Sequence, residues 1–139
     1  MPAARRIIIH SLADARAALS VAHELGVPIE LASAEGAGGY AGAMWFNAVV
    51  EVARADFPSV AVTAVLDCAA EAGTALNALR HGVRRVRFTG SAAASKRLKD
   101  IARQCGSVIE TGKPPAALDL LREDDPLEAC RRYLSAKRR

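Results

Sequence analysis

Aromatic residues are scarce: three Phe, two Tyr and one Trp in 139 residues. That excludes a surface of stacked aromatic platforms for single-stranded bases. Cysteine is limited to Cys68, Cys105 and Cys130, an odd number with no C-x-x-C spacing. The pattern excludes a disulfide framework and a local zinc knuckle, and it leads us to expect free thiols in a reducing cytoplasm. No stretch reaches the roughly 18 uninterrupted apolar residues of a membrane span. The opening "MPAARRIIIHSL" turns polar too soon for a secretory signal. Charge of one sign is also lacking, because 19 Lys and Arg stand against 15 Asp and Glu. Part of the excess lies in the tail, at Arg131, Arg132, Lys137, Arg138 and Arg139. Cations near a helix C-terminus and a frayed end account for it, so a nucleic-acid partner is not expected.

What the chain has is a globular composition, 51% hydrophobic and 24% charged, at a length that suits one domain with a real core. Short β-rich runs alternate with helical patterns. Strands are expected over 5–11, 27–33, 59–67, 83–90 and 107–112, and helices over 12–26, 43–57, 69–82 and 91–106. Three helices stop at a glycine (Gly26, Gly82, Gly106) and Pro58 ends the other. Successive βα units predict a five-stranded parallel sheet with right-handed crossovers. Residues 113–139 read as a helical extension of the same single domain, broken at Asp125-Pro126, with Pro126 opening the last helix.

A parallel strand covered on both faces reads as a continuous apolar run. Residues 83–90 do not: Val86 and Phe88 share one face, Arg85 and Arg87 the other. Glu110 falls close by in such a sheet, and Glu30 is placed on the same face. One face is therefore expected to be covered by helices and the other partly charged: paired if buried, open to solvent, a ligand or a second subunit, or with arginines snorkelling at a sheet edge.

Ligands of parallel α/β sheets bind beyond the carboxyl ends of the strands. Those ends supply His10 and Ser11, Ser33 and Glu35, Asp67 and Cys68, Thr89 to Ser91, and Glu110 to Gly112. Asp67 ends an apolar strand, where burial can tune a carboxylate for proton transfer; it could equally cap the next helix. Cys68 is a candidate nucleophile or metal ligand, or a small inert core thiol. His10, Cys68 and Glu110 are residue types that bind zinc or another divalent metal, should the strand ends bring them together. Thr89, Gly90 and Ser91 offer amides and hydroxyls to a small anion, with Ser91 also an ordinary N-cap. His23 and His81 sit where helix C-termini are expected and need no further role. Gly36-x-Gly38-x-x-Ala41 fits the loose dinucleotide fingerprint. That reading requires an acidic residue about 20 positions on at the next strand end; Asp56 has the spacing but lies in a helix, and Asp67 is too far along.

From Val27 to Ser91 the chain resembles the class II, metal-dependent fructose-bisphosphate aldolases. "SAEGAGGYAG" (33–42) is similar to that family's loop after a strand, through Glu35, Gly36, Ala37, Tyr40 and Gly42, although its serine falls on Ala34. "VAVTAVLDCA" is similar to its Leu-Asp-His-Gly strand end, with Cys68 for the histidine and Ala69 for the glycine. "ALRHGVRRVRFTGS" keeps Gly82, Val86, Gly90 and Ser91, with Thr89 for an aspartate, and "SVIETG" matches more faintly through Glu110 and Gly112. The resemblance implies part of a (β/α)8 barrel and a lyase ancestry. It casts Asp67 as the proton-transfer group, and Ser33, Glu35, Gly36, Thr89, Gly90 and Ser91 as ligand contacts. The later strands, with two further metal-binding histidines and phosphate loops, have no counterpart.

The combined expectation is a degenerate aldolase-like half-barrel, a partial barrel or an open flavodoxin-like layer. It would bind a small oxygenated ligand, phosphorylated or not, and self-associate. A non-catalytic oligomeric binding module is the alternative, and nucleotide or flavin binding through Gly36 and Gly38 a weaker one.

Overall fold

The structure is a computed structural model and describes residues 3–137. Arg138 and Arg139, the end of the basic tail, lie outside the described residues. The fold is α/β, with an open parallel sheet of six strands in the order β5-β4-β3-β2-β1-β6. The elements are β1 (Arg5–Ile9), α1 (Leu12–Leu25), β2 (Ile29–Ser33), α2 (Ala37–Tyr40), α3 (Ala43–Asp56) and β3 (Val62–Asp67). They continue with α4 (Ala72–Arg80), β4 (Arg85–Arg87), α5 (Ala92–Cys105), β5 (Val108–Glu110), β6 (Ala117–Asp119) and α6 (Pro126–Ser135). Among the described residues no helix is long and apolar enough to cross a membrane.

All five expected strands form, each shorter than its sequence signal. The sixth was read as helix. Residues Ala117–Asp119 instead pair in parallel with β1, Arg6 opposite Ala117 and Ile8 opposite Asp119. Its three residues are too few to show a period of two, so the run of Ala and Leu looked helical. The helix ends are local chemistry. Gly26 and Gly106 take the left-handed conformation (φ +65° and +72°) that closes α1 and α5. Ser11, Ser91 and Asp125 cap α1, α5 and α6 by accepting from Asp14 N–H, Ala94 N–H and Glu128 N–H.

The chain resolves into two compact units. The first comprises residues up to Ala32, Val49–Thr63 and from Pro115 on. Its core holds Ile7, Ile9, Leu19, Val21, Ile29, Leu31, Leu120 and Leu134. On its sheet, Arg6 Nε donates to Glu30 Oε1 at 2.6 Å, so this buried cation is paired. Arg131 of α6 reaches Glu24 of α1 at 2.9 Å, a partner for one cation of the tail.

The second unit comprises Ser33–Ala48 and Ala64–Pro114. Phe46, Val65, Leu66, Leu79, Val83, Val86, Phe88, Leu98 and Ile109 form its core. Each such large side chain contributes about 1.5–3 kcal/mol on burial. This unit carries most of the strand ends singled out above.

Candidate functional site

The site begins with strand register. In the second unit, β3, β4 and β5 run parallel with Asp67 opposite Arg87 and Arg87 opposite Glu110. Residues in register on adjacent strands project to the same face. A row of acid, base and acid therefore crosses the carboxyl end of three strands. Arg87 is 6% exposed. Its Nη1 donates to Glu110 Oε2 at 3.0 Å, its Nη2 to the Gly112 carbonyl, and its Nε stands 3.7 Å from Asp67 Oδ2. The burial is thus compensated at three positions, as a guanidinium removed from water requires. The apolar side chains Val86 and Phe88 point to the opposite, fully buried face.

Asp67 divides its two oxygens between two tasks. Oδ1 accepts from Gly36 N–H at 3.1 Å and from Ala69 N–H at 2.8 Å. Oδ2 faces Arg87. The carboxylate so ties the loop after β2 to the loop after β3. It does not cap α4, which starts five residues later with Glu71 as its N-cap. Ser33 adds a third tie: its Oγ accepts from Asp67 N–H at 2.8 Å, and Ser33 is only 3% exposed. Ala69 pays for the arrangement with φ +50°, the one positive value at a non-glycine position among the described residues. Strain of this sort costs on the order of 1 kcal/mol or more and collects at functional loops.

The glycine-rich stretch 36–42 is packed onto this end of the sheet. Gly36 is left-handed (φ +74°). A Cβ on Gly38 would lie 2.7 Å from Cys68 Sγ and 3.3 Å from the Asp67 carbonyl oxygen. Gly38 therefore serves close packing of the loop against the strand end. Tyr40, at the end of α2, is 72% exposed.

The remaining expected site residues fall as follows. Glu35 is exposed beside Gly36. Thr89 is exposed and donates its N–H to the Ala69 carbonyl at 2.8 Å, linking the loops after β3 and β4. Gly90 lies against the Phe88 ring, which a Cβ would meet at 2.3 Å. Ser91 caps α5. Cys68 is 1% exposed; burial and the adjacent Asp67 charge push its thiol up to about 12. That thiol stays protonated at neutral pH, the inert reading rather than the nucleophilic one. Glu110 is engaged with Arg87. His10 belongs to the first unit, where its ring pairs with Asp119. Among the described residues no group of three His, Cys, Asp or Glu is gathered so as to hold a metal ion. His23 lies in the last turn of α1 and His81 closes α4, as expected.

Sequence reading placed Arg87 and Glu110 on one face but missed that Asp67 completes their row. Aligning the three strand ends would have found it. An open groove of about 460 Å³ runs along α5, lined by Ser95, Lys96, Lys99, Asp100, Arg103 and Thr111. Thr111, at its end, directly follows Glu110 in the chain.

No protein-family model matches the chain, and no curated protein matches it in sequence. Among solved structures the fold is similar to a Coccidioides immitis protein provisionally named a fructose-1,6-bisphosphate aldolase, with a TM-score of 0.66 and 17% sequence identity. The match covers 78% of this chain but 45% of that one, so the chain spans less than half of its length. The likeness is one of fold: an aldolase-like α/β arrangement over part of a longer architecture.

Proposed function

We propose that the chain is an aldolase-like half-barrel that binds a small oxygenated ligand at the strand ends of its second unit. The observation that carries this reading is the Asp67-Arg87-Glu110 row. It sets charged, hydrogen-bonding groups at the end of a parallel sheet where α/β folds bind ligands. Hydroxyl or carbonyl oxygens of the ligand meet Glu110, Thr89 and Ser91. A phosphate, where present, meets the cations of the α5 groove. Any aldol cleavage or enolisation runs through Asp67 as the proton-transfer group. Its Oδ2 lacks the backbone amides that hold Oδ1, so it is the oxygen left to exchange Arg87 for a reacting group. Chemistry of the class II aldolase type draws on a metal; with Cys68 protonated and His10 and Glu110 each engaged, those three residues do not fit one.

A specific observation favours a second reading, a non-catalytic binding module. Arg87 already faces the carboxylate, so Oδ2 is engaged in an ion pair rather than turned toward a reacting group. Titration with dihydroxyacetone phosphate, followed by amide NMR shifts, tests the binding claim. Saturable shifts at residues 34–36, 67–69 and 89–91 support it, and their absence removes it. Turnover separates the two readings: carbonyl-substrate cleavage or proton exchange abolished by Asp67→Asn identifies an enzyme, and binding without either identifies the module. On both readings we expect the chain to self-associate.

A further inference from the structure

The first unit contains a second cluster of titratable groups. His10 follows β1 at the carboxyl end of the sheet, and its Nε2 lies 2.6 Å from Asp119 Oδ1 at the end of β6. Its backbone N–H donates to Asp14 Oδ2 at 2.9 Å. The ring is about 20% exposed. Its Nδ1 has no protein partner among the described residues. Asp119 is itself fixed, since its Oδ1 also accepts from Leu121 N–H at 2.9 Å. Burial works against its ionisation, but that amide, His10 and the Arg122 charge together hold its carboxyl below the usual range. An anchored carboxylate on one imidazole nitrogen, with the other nitrogen open, is the geometry that orients a histidine as a base.

We propose that His10 and Asp119 form a general-base site, with His10 the catalytic residue and Asp119 its positioning residue, that activates water against small neutral carboxylic esters. His10 Nδ1 takes a proton from water as the oxygen adds to the ester carbonyl. The carbon–alkoxide bond then breaks, and the imidazolium returns that proton to the leaving alcohol. Atoms balance with water as the only co-reactant. Neutrality of the ester follows from the surroundings. Asp14 on α1, which accepts from the His10 N–H, and Asp119 on β6 outnumber Arg122 at this pair. An anionic substrate is repelled there.

The test is p-nitrophenyl acetate hydrolysis by the full chain across pH 5–9, in H2O and D2O. The expected result is a rate above that of free imidazole at equal concentration, slower in D2O, and lowered at least ~10-fold by His10→Gln but not by His81→Gln. Asp119→Asn, which can still accept from Leu121 N–H, should lower kcat about 10-fold with KM unchanged, because a carboxylate orients the imidazole better than an amide does, and Asp119→Glu should recover part of the loss. A purely structural Asp119 would leave kcat in place in the folded variant. A wild-type rate no better than imidazole, full activity in a folded His10→Gln protein, or an unchanged kcat in folded Asp119→Asn overturns the proposal. None of these outcomes bears on the ligand site of the second unit.

Discussion

At the scale of single residues, Asp67 ties two loops of the second unit together through the Gly36 and Ala69 amides. Asp67→Ala strands the Gly36 and Ala69 amides and leaves Arg87 with one carboxylate fewer. Breaking one side of a buried ion pair costs roughly 3–5 kcal/mol, so the variant should unfold at clearly lower urea. Asp67→Asn keeps an acceptor at Oδ1 and should lose less; equal losses would show that the amide ties contribute little. Cys68 gives a pH signature. The folded thiol sits at about 12 against an ordinary 9.0, so the unfolded state releases its proton first. Its stabilisation is complete below about pH 9 and is lost as pH rises toward the folded value. The urea midpoint should fall less steeply between pH 8 and 10.5 in Cys68→Ala than in the wild type. Parallel declines would mean that the thiol is not shielded. Asp67 was legible in the sequence as a polar residue ending an apolar strand. Its partners Gly36 and Ala69 were not, because backbone amides carry no residue-type signal.

At the scale of elements, hydrophobic alternation and glycine stops located five strands and four long helices. The two features that escaped, α2 and β6, are short and lack the longer apolar runs that flank β4 and β5. Four residues of "AGGY" and three of "ALD" cannot display a period, and tertiary packing decides their state. The glycine pattern around α2 also illustrates how a motif can mislead. Gly36 and Gly38 fit a phosphate fingerprint, yet one supplies a left-handed turn and the other clears space for Cys68. Gly38→Ala should therefore disturb the loop locally: amide shifts confined to residues 33–42 and 67–69, with loss of ligand response and α-helical content unchanged. An unperturbed spectrum would contradict the close packing described.

At the scale of the whole molecule, the sheet remains open, with β5 and β6 at its edges. Both are three residues long, which blunts the tendency of an exposed edge to recruit another strand. Val108 on β5 is nonetheless 47% exposed, and self-association remains our expectation. Light scattering should give at least twice the 14.6 kDa chain mass, and a monomer at 100 μM would contradict it. The charged sheet face was foreseen from Arg85, Arg87, Glu30 and Glu110, but which carboxylate each arginine meets depended on register. Arg6, not foreseen, takes Glu30, while Arg87 takes Glu110 and Asp67.

The ligand site proposed at the row Asp67-Arg87-Glu110 is tested by calorimetric titration of dihydroxyacetone phosphate into the wild type and into folded Asp67→Asn. Saturable binding to the wild type is expected, weakened by about 10-fold or more in the variant, since a hydrogen bond to a charged group contributes about 1.5–3 kcal/mol. Equal affinities in the two proteins, or no binding to either, would contradict it.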